Sequence, residues 1–176
     1  GSPHFRILAV NFHYVRPPNS RYPGLHHRSL GDFRRQLDAL EALGDYVSPQ
    51  QLEEILLESG AAHPDRAFVL TFDDGLKDHI QYVAGELDRR KWSAFFFVNS
   101  APWQGELLGV HRLQLLNASV PFTELYDAFI QWLKENDLPL DPRQLPMDRV
   151  RKVYSYDEDE VARFKFAINF EMSIQT

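Results

Sequence analysis

Cysteine is absent from the 176 residues, which excludes disulfides and thiolate-bound zinc and leaves the redox compartment open. Positive charge is short: 19 Lys and Arg stand against 25 Asp and Glu, a formal net charge of -6. Nucleic-acid binders usually carry a basic face, so no nucleic-acid partner is expected. No apolar run approaches the roughly 20 residues of a membrane span. No signal peptide is visible, and no phosphate loop of the form G-x-x-x-x-G-K-S/T occurs. Internal repeats and low-complexity segments are also missing. The expectation is a cytoplasmic protein without a transmembrane segment. What remains is ordinary for a soluble domain, 44% apolar and 25% charged, in a chain long enough for one core. "GSPH" at residues 1–4 reads as a tag remnant. Seven histidines (His4, His13, His26, His27, His63, His79, His111) are a mild excess.

Periodicity organises the first hundred residues. "RILAVNFHYV" (Arg6 to Val15) reads as a buried strand running into a loop rich in Pro and Gly. A helix follows at "SLGDFRRQLDALEAL", with Ser29 and Asp32 as a cap and Phe33, Leu37 and Leu40 on one face. "SPQQLEEILLESG" is a second helix: Ser48 caps it, Pro49 opens its first turn, Gln51 reciprocates and Gly60 stops it. "RAFVLTF" is apolar throughout, which suits a parallel strand covered on both faces. "KDHIQYVAGELDRR" reads as a helix with Ile80, Val83, Ala84 and Leu87 inward, and "WSAFFFVNS" as a third buried strand. Strands alternating with helices predict an α/β fold with a parallel sheet.

After Ser100 no convincing strand is found. "GVHRLQLLNAS" and "PFTELYDAFIQWLKEND" read as helices, the second with Leu125, Phe129, Trp132 and Leu133 on one side. A loop with Pro139, Pro142 and Pro146 leads to a last helix starting near Ser155, capped by Glu158 and burying Val161, Phe164 and Ile168. Residues 101–176 read as a helical insertion or lid on the α/β core.

The chemistry concentrates at "VLTFDDGLKDHI" (Val69 to Ile80), where a buried strand ends on two adjacent carboxylates. Two like charges side by side repel, more so when buried. Strand side chains alternate faces, so Asp73 and Asp74 can share a site only if the strand ends between them. Gly75 permits that ending. The site then lies at the carboxyl end of a parallel strand, where α/β folds place ligands. A helix N-cap would explain one Asp but not two. Haloacid-dehalogenase-type phosphatases space their two Asp by one residue, whereas these are adjacent. The remaining reading is metal-assisted hydrolysis, with one Asp on a cation and the other accepting a proton from water.

"TFDDG" (Thr71 to Gly75) resembles the first motif of the polysaccharide deacetylases, the NodB-homology domain of carbohydrate esterase family 4. "FHYV" (Phe12 to Val15) is similar to that family's Y-H-x-V opening, and "AFFFVNS" stands where its T-x-F-F-V strand would be. "FRRQLDALEALGDYVSPQQLEEIL" looks like the helix–turn–helix that often follows the opening. The resemblance covers roughly residues 5 to 100. "GELLGVHRLQLL" (Gly105 to Leu116) is similar to a segment of deacetylase-like proteins from surface-polysaccharide gene clusters, including those for lipopolysaccharide O-antigen. The resemblance implies the start of a distorted (β/α) barrel over residues 5–100, with 101–176 as insertion or lid of the same domain. It implies Asp73 as catalytic base, Asp74 as ligand of a divalent metal (zinc first), and removal of an N-acyl group, acetyl foremost, from an amino sugar of a bacterial surface polysaccharide or its precursor.

The family's second motif, H-S/T-x-x-H-P, has no counterpart: no H-x-x-x-H occurs in the sequence. Two expectations follow, the N-terminal part of a longer deacetylase or a short relative that binds carbohydrate without catalysis. His13, at the end of the first strand, and His111, in a later helix, are the candidate neighbours of the aspartates. Each also has a reading as a structural histidine. His26 and His27 are expected in solvent, His79 on the surface, and Asp78 and Asp88 on a solvated helix face. Trp92 and Trp132 read as core. Trp103 has two readings, packing or a stacking face for a sugar ring. The acidic run Asp157 to Glu160 is read as first-turn helix charge rather than a metal site. Oligomeric state is left open.

Overall fold

The computed structural model describes residues 6–18, 21–57 and 64–172. His4, His63 and the predicted helix stop at Gly60 lie outside these. The chain divides into two compact units, Gly1–Arg112 and Leu113–Thr176.

The first unit is an α/β arrangement. β1 (Arg6–Phe12), β2 (Asp45–Tyr46), β3 (Arg66–Phe72) and β4 (Phe95–Phe96) form one parallel sheet. β3 is central. β1 lies along one edge of it for seven residues in register, from Arg6 opposite Arg66 to Phe12 opposite Phe72. Its other edge is shared, β2 at Ala67–Phe68 and β4 at Thr71–Phe72. β3 is buried on both faces, as its continuous apolar run requires. β1 is not: Phe12 is its one buried residue, and Leu8 is exposed. The expectation of a buried first strand fails because β1 is an edge strand among the described residues. Likewise the predicted third strand shrinks to Phe95–Phe96, with Phe97 and Val98 exposed.

α1 (Leu30–Leu43) and α2 (Pro49–Leu57) begin where capping chemistry places them. The Asp32 amide donates to Ser29 Oγ at 3.0 Å. At α2 the exchange is reciprocal, Gln51 N to Ser48 Oγ at 3.2 Å and Ser48 N to Gln51 Oε1 at 2.9 Å. Phe33, Leu37 and Leu40 of α1 join Phe12, Phe68, Leu70 and Phe72 in the core. Phe33 meets Phe12 edge-on at 5.0 Å, a favoured aromatic geometry. Trp92 packs against this core, stacked on Tyr46 at 4.6 Å.

The helix after the carboxylates departs from expectation. A π-helical turn (His79–Val83) precedes α3 (Ala84–Arg90). Val83 and Leu87 face inward as predicted, but Ile80 is 81% exposed and Ala84 is exposed. Asp78, expected on a solvated helix face, and His79, expected on the surface, are buried instead, as is Glu86, while Asp88 is exposed as expected. Asp78 and Glu86 are ion-paired and His79 is bonded through Nε2, which offsets the cost of placing polar groups inside, while the buried His79 Nδ1 has no partner. Asp78 accepts two bonds from Arg16, at 2.5 and 2.7 Å. His79 Nε2 lies 3.0 Å from the His13 carbonyl. Glu86 accepts from Arg34, Arg89 and Arg90. Arg90 also pairs with Asp38 and Glu41 of α1, tying the two helices together.

The second unit is helical among its described residues. α4 (Gly109–Ser119) runs into it, followed by α5 (Phe122–Glu135), α6 (Met147–Val153) and α7 (Asp159–Phe166). Phe164 is the hub, edge-on to Phe122 and Phe129. Trp132 is 42% exposed rather than core. α6 lies where the sequence predicts only a proline-bearing loop; Pro142 and Pro146 punctuate the chain but leave seven helical residues after them. The last helix starts at Asp159, not Ser155, because Arg151 gathers the carbonyls of Tyr154, Ser155 and Asp157 into a turn. It buries Ala162, Phe164 and Phe166, while Val161 and Ile168 are half-buried. The acidic run is ion-paired, Asp157 with Lys165 and Asp159 with Arg151.

Three arginines hold the Glu86 carboxyl down to about 2 from an ordinary value of 4.5. The stabilisation is fully present above about 4.5 and is lost as pH falls through about 2. Arg34 and Arg89 face solvent, which weakens the effect to about 2 kcal/mol. Glu86→Gln is expected to lower urea-unfolding stability by about that much at neutral pH and by much less near pH 2.

Candidate active site

β3 ends at Phe72, but its ladder continues one step, since the Asp73 amide donates to the Phe12 carbonyl at 3.2 Å. The backbone then turns left-handed twice, at Asp74 (φ 74°) and Gly75 (φ 60°). Asp tolerates this region better than most residues, and Gly tolerates it freely. Strand alternation stops at Asp73, so the adjacent carboxylates need not point to opposite faces. Both come within 4 Å of one imidazole: His13 Nε2 is 3.8 Å from Asp73 Oδ2 and 3.9 Å from Asp74 Oδ2. Among the described residues, neither carboxylate caps the helix that follows.

The second histidine arrives from far along the chain. His111 in α4 is buried, with its Nε2 3.0 Å from Asp74 Oδ2 and its ring 6.3 Å from that of Tyr14. The ring N–H direction is not aligned on that oxygen, so the pair is in contact without a formed hydrogen bond. The structure thus gathers Asp73, Asp74, His13 and His111. His26 is exposed, and His27 Nδ1 sits 2.9 Å from the Leu25 carbonyl.

Three further residues, Asn11, Thr71 and His79, support the site. Asn11 Nδ2 donates to Asp73 Oδ2 at 2.7 Å. Thr71 Oγ1 is 3.1 Å from Asn11 Oδ1. His79 holds the His13 backbone. A carbonyl only accepts, so Nε2 carries the proton there, and burial between Phe72 and Phe96 lowers the ring's pKa. The parallel strand pairing could have shown Asn11, which sits opposite Thr71 in register.

Donor chemistry at Asp74 and His111 suits a divalent cation, one carboxylate oxygen and one imidazole nitrogen. Ligands about 2.0–2.1 Å from a tetrahedral ion stand roughly 3.3 Å apart, close to the 3.0 Å contact here. The buried Nε2 without an aligned partner fits the same use. These are two donors, however. Among the described residues, no group of three or more His, Cys, Asp or Glu converges as a metal site. No helix among them is long and apolar enough to cross a membrane. A groove of about 680 Å³ lies at the other end of the strands, lined by Arg6, Leu8, Leu43 and Arg66. It is remote from the carboxylates.

Fold and turn together define an α/β protein with a carboxylate pair at the carboxyl end of its central parallel strand. No family model matches the sequence, and no curated protein matches it. Solved structures do match, among them IcaB from Ammonifex degensii. It is 31% identical at a TM-score of 0.45, over 54% of this chain and 39% of that one. The chain therefore spans about two-fifths of that protein's length.

Gly75 is held by more than its φ. An added Cβ would stand 2.9 Å from Val98 Cγ1 and 3.4 Å from Val98 Cα. Gly105 also has positive φ, but a Cβ there meets nothing within 4 Å. Gly75→Ala is expected to cost about 1–3 kcal/mol, and Gly105→Ala about 1. Paired thermal melts measure the difference; equal losses would show that Val98 yields freely.

Proposed function

We propose that this protein is a metal-dependent hydrolase of the polysaccharide deacetylase type, removing an N-acyl group, acetyl first, from an amino sugar. Its sheet would be part of a NodB-type distorted barrel, with residues 101–176 as an insertion in the chain. The observation that carries this reading is the double left-handed turn that sets Asp73 and Asp74 around His13, with His111 of α4 3.0 Å from Asp74.

Asp74 and His111 would hold the cation, with His13 the next nearest nitrogen. Zinc or a similar ion, when bound, would supply Lewis acidity toward the acyl carbonyl. Asp73 is the base. Its carboxylate, about one-third exposed, takes a proton from the attacking water as the new C–O bond forms. The amide C–N bond then breaks, the nitrogen gains a proton, and a free amine and a carboxylate leave. His13, nearly half exposed, faces the space where substrate would sit. Trp103 is 82% exposed, which disfavours the packing reading and leaves an indole face for a sugar ring.

The second reading is a carbohydrate-binding module that keeps the fold without the chemistry. The lack of a three-donor cluster among the described residues favours it. Metal content separates the two. The purified protein is expected to carry close to one equivalent of zinc or a similar ion by elemental analysis. Asp74→Ala and His111→Ala are expected to lose it. Asp73→Asn is expected to retain it while hydrolysis falls by at least about 100-fold. A wild-type protein that neither contains nor takes up metal would favour the binding module.

A further inference from the structure

Parallel pairing sets Asn11 directly opposite Thr71. Residues 71 and 73 lie on the same face of β3, because strand side chains repeat every second residue. Asn11, Thr71 and Asp73 therefore share one face, opposite the face that buries Phe12 and Phe72. The contacts form a chain. Thr71 Oγ1 is 3.1 Å from Asn11 Oδ1, and Asn11 Nδ2 is 2.7 Å from Asp73 Oδ2.

Hydrogen-bond chemistry fixes the direction of this chain. The Asp73 carboxylate can only accept, so the atom facing it at 2.7 Å must be the amide nitrogen. That turns Asn11 Oδ1 toward Thr71, which has one hydroxyl proton to give. The Val10 carbonyl competes for it from 3.5 Å, a poorer distance than 3.1 Å. We propose that Asn11, oriented by Thr71, is the positioning residue that holds the Asp73 carboxylate for proton abstraction. This rests on the reading of Asp73 as the base. Asn11 is exposed, so it takes no part in core packing and its side chain is available for this one polar task.

The test uses Asn11→Ala, Asn11→Asp, Thr71→Val and Thr71→Ser. Asn11→Asp keeps the shape but removes the donor. Thr71→Val removes the hydroxyl at constant volume, and Thr71→Ser restores it. Thermal melts confirm folding. Acetate release from a short N-acetylglucosamine oligomer gives kcat and KM, and crystal structures give the Asp73 rotamer. The Asn11 variants are expected to lose roughly 10- to 100-fold in kcat with KM within about twofold. Thr71→Val is expected to lose about 3- to 10-fold and Thr71→Ser to return close to wild type. In Asn11→Ala the Asp73 carboxylate is expected to leave its position. Unchanged kcat in folded Asn11 variants, or Thr71→Ser as impaired as Thr71→Val, would overturn the proposal. If the wild type releases no acetate, the hydrolase reading fails by itself. The Asp73 rotamer then decides positioning, and a carboxylate that stays in place in Asn11→Ala refutes it.

Discussion

The parallel pairing of β1 with β3 is the constraint on which the carboxylate end of the sheet depends. Seven residues in register bring Asn11 beside Thr71 and Phe12 beside Phe72. One face of that pair is aromatic and closes the core. The other is polar and leads to Asp73. The same pairing carries His13 past the end of β1 to the point where β3 breaks into its left-handed turn. A one-residue slip would exchange the two faces, sending Phe12 toward solvent and Asn11 into the core. The site and the core therefore enforce the same register.

Buried polar groups support the turn from behind. Asp78 grips Arg16, His79 holds the His13 carbonyl, and Glu86 collects three arginines. These contacts fasten the loop after β1, and α1, onto the helical segment after Gly75. Burial of such groups costs free energy unless each finds a partner. Here each finds one, so the cost is offset and the geometry gains directionality that apolar contacts lack. His79 works through a neutral ring because burial between Phe72 and Phe96 disfavours its charge.

Two successive left-handed residues, Asp74 and Gly75, put backbone strain at the carboxylate pair. Gly75 sits against Val98, so the turn is braced by the segment after β4. Backbone in this region persists only when its surroundings hold it. The bracing explains how two carboxylates can stand side by side without the turn relaxing to separate them. Ring nitrogens of His13 and His111 come within 4 Å of the pair.

Local rules made much of the first unit legible. The cap at Ser29, the capping box at Ser48, the apolar stripe of α1 and the continuous apolar run of β3 each express physics that acts within a few residues. The end of β3 at the Asp pair and the need for Gly75 were readable for the same reason. Helix α4 was legible as an element, and His111 as a candidate within it. Its contact with Asp74 was not, because 36 intervening residues carry no signal of approach. Asn11 was silent because its role depends on a cross-strand register. The inward face after Gly75 escapes the sequence because Asp78 and His79 look like surface residues until their partners are seen. By itself the sequence determined the helices with caps, the central strand and the pair of aspartates, since local propensity and periodicity settle those. Tertiary structure alone decided which polar groups are buried, which strand is an edge and which side chains meet at the turn, because those depend on partners distant in the chain.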